Sequence, residues 1–205
     1  LGRYFASRDS HTRDQVVLAS KIRNPVRCEH ELEREFSPNE SGASRKYIVQ
    51  AVESSLRRLQ TDYIDILYHH SPSLLEDGSW ETPLEETWSA FDDLVRQGKV
   101  RYLAVSNRNG EQLVGENAAL RSVAAPKDTR IIAVQNRYNL VDRTDVSYTD
   151  ESEADFLARL DRERVGLVPM VPLAVGFLTG RYRRGDTDAS GRLATESDRR
   201  WAERY

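Results

Sequence analysis

The chain has 205 residues, 39% of them hydrophobic and 31% charged, with a formal net charge of -3. That length supports one domain with a substantial core. The balance excludes a disordered chain, a nucleic-acid partner recruited by excess positive charge, and a membrane-spanning protein, because no apolar run approaches the roughly 20 residues that a bilayer requires. The single cysteine, Cys28, allows no internal disulfide, and no Cys/His cluster suits a metal. With no signal-peptide core after Leu1, a cytoplasmic protein is expected.

The first nine residues read as the end of a helix, and Thr12-Arg13-Asp14 as a turn into a strand over 15–21 that ends on Lys21. Residues 22–43, broken by Pro25, Pro38 and Gly42, read as a long loop after this first strand. Ser44 can cap a helix to about Gln60, with Ile48, Val52, Leu56 and Leu59 on one face. Residues 63–70 form an apolar run that stops on His69-His70, which reads as a strand buried on both faces. Thr82-Pro83-Leu84-Glu85 reads as a capping box with proline at the first helical position. The helix it opens turns Leu84, Trp88, Phe91, Leu94 and Val95 inward, and Gly98 is placed to end it. A strand over 100–106 ends on Ser106-Asn107, a helix over about 111–120 leads to a strand over 131–136, and a helix over 150–162 precedes a strand over 165–171. A glycine-containing segment, 176–180, and a charged loop, 181–192, follow. The chain opens inside a helix without Met and stops on one just begun, so it reads as an internal piece of a longer protein.

Strand and helix alternate as parallel βαβ units require. No Gly-x-Gly-x-x-Gly follows the first strand and there is no phosphate-loop Gly-Lys-Ser/Thr, which argues against the common nucleotide-binding sheets. Apolar strands with polar C-terminal tips point to a (β/α)8 TIM barrel, incomplete here with about five of the eight parallel strands, as one domain over 1–205. Lys21, one of His69 and His70, Ser106-Asn107 and Gln135 then converge on one rim. Each has a plainer reading: a surface charge, a structural histidine, or strand-end caps.

The order of these pieces resembles the aldo-keto reductases, (β/α)8-barrel oxidoreductases that use a nicotinamide cofactor, usually NADPH. The pieces are Leu18-Ala19-Ser20-Lys21, Tyr63-Ile64-Asp65 leading to His70, Gly98-Lys99-Val100-Arg101 leading to Ser106-Asn107, Val134-Gln135-Asn136-Arg137-Tyr138-Asn139, and Pro172-Leu173-x-x-Gly176-Phe177-Leu178-Thr179-Gly180. The resemblance implies reduction of a small aldehyde or ketone by NADPH, with NADH as the alternative cofactor. It implies that Lys21 and His70 are catalytic, with His69 turned the other way. It implies that Ser106, Asn107 and Gln135 hydrogen-bond the nicotinamide carboxamide and that Met170 lies against its ring. Pro172, Leu173, Gly176, Leu178, Gly180 and Arg181 are implied to follow the pyrophosphate. Two departures stand out: Met170 replaces a usual aromatic residue, and the family's catalytic Tyr and Asp fall upstream of Leu1. A non-catalytic barrel that binds the cofactor and serves as a regulatory or interaction subunit is the alternative.

Overall fold

The computed structural model describes residues 1–8, 10–24, 38–124, 129–143, 146, 149 and 151–180. In chain order it contains α1 (Gly2–Ala6), α2 (Ser10–Asp14), β1 (Ala19–Ile22), α3 (Arg45–Leu59), β2 (Ile64–His69), α4 (Leu84–Arg96), β3 (Val100–Ser106), α5 (Gly110–Ala124), β4 (Ile131–Arg137), α6 (Glu153–Glu163) and β5 (Gly166–Met170). Short 3-10 turns occupy Pro38–Glu40 and Ala174–Thr179. The five strands form one parallel sheet in sequential order, β1-β2-β3-β4-β5. Each strand therefore pairs with the next after a helical crossover, as in consecutive units of a parallel barrel.

The sheet has two apolar faces, one packed under the helices and one turned to the barrel interior. On the helix side, Ile22, Leu67, Val105 and Val134 pack against Ile48, Val52, Trp88, Phe91, Leu113, Leu120 and Phe156. On the opposite, barrel-inner side, Tyr68, Ala104 and Ala133 pack with Ile66, Ile132 and Val168. Period-two alternation decides which side chain reaches which face, and so decides which residues can meet at the rim.

Helix ends follow local chemistry, with one exception. The Ser44 side chain accepts the Tyr47 N–H to open α3, which closes on Gln60 in a left-handed conformation. Gly98, at φ 74°, follows the C-terminus of α4. The expected Thr82–Glu85 capping box does not form. Pro83 is itself the cap residue of α4, without a side-chain cap bond, and the helix starts at Leu84.

The first strand is also shorter than expected, and residues 10–14 are helical rather than a turn. Val16 and Val17 are 38% and 73% exposed, because β2 begins only at Ile64 and pairing starts at Ala19↔Ile66. Arg13 spans the gap instead. Its guanidinium donates to Val16 O at 2.8 Å, to Tyr63 O at 2.9 Å and to Asp65 Oδ2 at 2.8 Å. Asp65 also accepts the Leu18 N–H at 2.9 Å and faces Arg101 Nη1 at 3.1 Å. The Tyr63 ring lies between the two guanidinium groups, 3.9 Å from Arg13 and 3.8 Å from Arg101. This cluster closes the N-terminal end of the sheet, away from the rim. Most of the expected 22–43 loop, together with Cys28 and Arg181, lies outside the described residues.

Candidate active site at the C-terminal rim

Lys21 is the third residue of β1, paired with Tyr68 of β2. Tyr68 belongs to the inner-face cluster, and the Lys21 ammonium sits 4.8 Å from its ring centroid. Lys21 therefore points to the barrel interior rather than outward. Burial lowers its pKa and raises that of the Tyr68 phenol.

The two adjacent histidines part company at the end of β2. His69 is fully buried on the helix side, with its ring 6.3 Å from Trp88 and 6.1 Å from Phe91. His70 lies just past the strand, half-buried, with its N–H donating to Ile22 O at 3.0 Å. Its Nδ1 lies 3.1 Å from Asn24 Nδ2. Burial, then the charges of Lys21, Arg23 and Arg108, lower its pKa, so the ring is neutral near pH 7.

Ser106 and Gln135 are register partners on β3 and β4. The Ser106 hydroxyl donates to Gln135 O at 2.8 Å. Asn107 is left-handed at φ 59°, which asparagine tolerates, and this turns its amide back over the neighbouring strand end. There Nδ2 donates to His70 O at 2.8 Å and to Ser106 Oγ at 3.2 Å. Ser106 and Asn107 thus tie three strand tips together. Met170 closes β5 opposite Arg137, and its carbonyl accepts the Tyr138 N–H at 3.2 Å.

Beyond Met170 the chain doubles back through Val171, Ala174, Val175, Gly176 and Gly180, all at positive φ. Glycine takes such angles freely, whereas a β-branched residue is strained there by about 1–3 kcal/mol. Pro172 and Leu173 are exposed, Gly176 and Leu178 half-buried. A tight turn with strained backbone at a strand's C-terminal tip is where this architecture places ligand contacts.

Reasoning from sequence missed the support beneath the rim. Arg108 and Glu116 are wholly buried, with Arg108 Nε 2.7 Å from Glu116 Oε2. Arg108 also donates to Ser106 O at 2.7 Å and to His69 Nδ1 at 2.8 Å. Its backbone exchanges hydrogen bonds with the Asn136 side chain. Burial would raise the Glu116 carboxyl, but the Arg108 charge and its hydrogen bonds outweigh it, and the net shift is downward. Burial dominates at His69 and holds it neutral against the pull of Glu116. A groove of about 560 Å³ beside Tyr47, Gln50 and Arg57 runs along α3 and includes none of the rim residues.

The residues present fit a nicotinamide group. The Gln135 side-chain amide carries donors and an acceptor together, as a carboxamide requires. Gln135 sits in register with Ser106 on the inner face, three strands from Lys21.

The model of the Aldo/keto reductase family matches residues 1–204. A probable voltage-gated potassium channel subunit beta from Oryza sativa subsp. japonica is 35% identical over 168 residues, covering 82% of this chain and 46% of the relative. Aldo-keto reductase AMT2 from Alternaria alternata is 39% identical over 141 residues, covering 68% of this chain and 34% of the relative. L-glyceraldehyde 3-phosphate reductase from Escherichia coli strain K12 is 34% identical over 148 residues, covering 72% and 38%. The chain thus spans about a third to a half of the length of these relatives. With a family match over nearly all its residues and a parallel sheet of consecutive βα units, the chain belongs to the aldo/keto reductase family and supplies part of its (β/α)8 barrel.

Proposed function

We propose that the intact protein is a cytoplasmic, NADPH-dependent reductase of an aldehyde or ketone, with Lys21 and His70 in the catalytic centre. The observation that carries this reading is the placement of the two residues at the ends of adjacent strands, Lys21 over the inner face and His70 just past β2. Neighbouring strands are about 4.8 Å apart, so the two side chains can flank one carbonyl oxygen and its proton donor. His70, neutral, donates a hydrogen bond to the carbonyl oxygen and orients it. Lys21 supplies positive charge that stabilises negative charge developing on that oxygen or on a phenol that protonates it. Gln135, Ser106 and Asn107 hold the cofactor's carboxamide, Met170 lies against its ring, and Pro172, Leu173, Gly176, Leu178, Gly180 and Arg181 follow its pyrophosphate. The cofactor, when bound, supplies hydride to the carbonyl carbon.

A second reading has its own support. The rice relative named a probable voltage-gated potassium channel subunit beta shares 35% identity, so a cofactor-binding regulatory barrel is the rival. The test is the full-length protein with NADPH and a panel of neutral and charged aldehydes, followed by loss of reduced-cofactor absorbance. Saturable turnover supports the reductase. Tight cofactor binding with no turnover of any aldehyde supports the regulatory barrel.

A further inference from the structure

Behind His70 the rim carries polar groups that the proposed chemistry does not use. Asn24 lies just past the tip of β1, with Nδ2 3.1 Å from His70 Nδ1. Its other amide atom, Oδ1, accepts from Arg23 Nη1 at 3.2 Å. A guanidinium can only donate, so the amide must turn its oxygen to Arg23 and its NH2 to His70. The surrounding backbone is pinned. Gly42 N donates to Arg23 O at 2.9 Å, and the Tyr47 hydroxyl donates to Asn24 O at 2.8 Å. Arg23 Nε donates to Ser73 Oγ at 3.3 Å.

An amide NH2 donates and does not accept, so His70 Nδ1 is the acceptor. A neutral imidazole carries one ring proton, which then resides on Nε2. We infer that Asn24, oriented by Arg23, is a positioning residue that fixes His70 in the tautomer with its proton on Nε2. That leaves Nε2–H as the group presented to a carbonyl oxygen. The inference rests on reading His70 as the carbonyl's hydrogen-bond donor. The charged groups acting on the ring are Lys21 and Arg23 from the β1 side and Arg108 from beyond β3, all positive, and each favours the neutral ring that the Asn24 hydrogen bond needs.

The test uses the full-length protein labelled with 15N-histidine, with the His70 signal assigned by its loss in His70→Ala. Two-bond 1H–15N spectra should show the Nε2–H tautomer in the unmodified protein. Asn24→Ala and Arg23→Leu should give a mixture of tautomers. Asn24→Asp presents only acceptors, so it should move the proton to Nδ1 or, at lower pH, hold the doubly protonated ring. In single-turnover reduction of 4-nitrobenzaldehyde, Asn24→Ala should lose about tenfold to a hundredfold, the scale on which losing the orienting partner of a metal-bound histidine acts. Cofactor affinity should not change. Asn24→Asp should lose activity as pH rises through the raised pKa of His70, in a window where the unmodified protein is flat. An Nδ1–H tautomer in the unmodified protein, or spectra and pH profiles that superimpose across the variants, would overturn the inference. If no aldehyde is reduced at all, the reductase reading fails, and the spectra still decide the tautomer.

Discussion

Gln135 is the residue whose proposed role depends least on its neighbours' packing. Its main-chain oxygen takes the Ser106 hydroxyl and the Asn107 N–H, so the strand tip is held whatever the side chain does. Gln135→Ala should therefore weaken nicotinamide cofactor binding by about 1–3 kcal/mol, the cost of an unmet buried hydrogen bond, while leaving thermal stability nearly unchanged. Calorimetric titration measures the first and a thermal melt the second; unchanged affinity removes the assignment. Asp65 gives the contrasting case of a structural carboxylate. Burial alone would raise its pKa, but the Leu18 N–H and the Arg13 guanidinium outweigh it, and the net shift is downward. A group with a depressed folded-state pKa contributes stability above its unfolded value, about 3.9 for Asp, and loses it as pH falls through the lower folded value. The stability gap between the full-length protein and its Asp65→Asn variant should be constant near neutrality and narrow below about pH 4. A gap that does not change with pH would show that Asp65 is not held ionised by this cluster.

At the scale of elements, α5 and the tip of β3 are fastened by a buried ion pair. Arg108, just past β3, reaches Glu116 on the second turn of α5 and the Ser106 carbonyl at the strand end. Removing one partner leaves a charge buried alone, so Glu116→Ala should cost about 3–5 kcal/mol. Denaturant unfolding of the full-length protein measures this, and a loss under 1 kcal/mol would mean that the site relaxes to admit water. Nothing in the order Ser106-Asn107-Arg108-Asn109 marks Arg108 as buried, because arginine after a strand usually reads as a solvated charge. The strands were legible because apolar runs of this kind fill a two-faced sheet, and alternation correctly separated His69 from His70. The start of β1 was not legible. Val16 and Val17 look like strand, yet they pair with no strand among the described residues, since where pairing begins is set by β2 and by Arg13. The Thr82–Glu85 pattern failed because the helix starts at Leu84, one residue later than the pattern requires, with Pro83 in the cap position.

For the whole molecule, the sheet order leaves β1 and β5 each paired on one side only among the described residues. The inner face presents Tyr102, 54% exposed, beside the partly buried Ile66, Ile132 and Val168. Open parallel edges and a bare apolar face favour association. Residues 1–205 produced alone should thus migrate as associated species in light scattering after size exclusion, and a monomer with a single cooperative unfolding transition would contradict this. In the proposed function the rim of this barrel reduces a carbonyl through Lys21 and His70. This is tested most directly by single-turnover reduction in the full-length protein and in its Lys21→Met, His70→Ala and His69→Ala variants, followed by reduced-cofactor absorbance. Lys21→Met should slow the chemical step by on the order of 10²-fold or more, the scale of acid–base assistance, with cofactor affinity retained. His70→Ala should also be slowed, and His69→Ala should lose stability but keep its rate once folded. A crippled His69→Ala beside an active His70→Ala would overturn the assignment at the tip of β2, and undiminished rates in all three would contradict the catalytic reading of the rim.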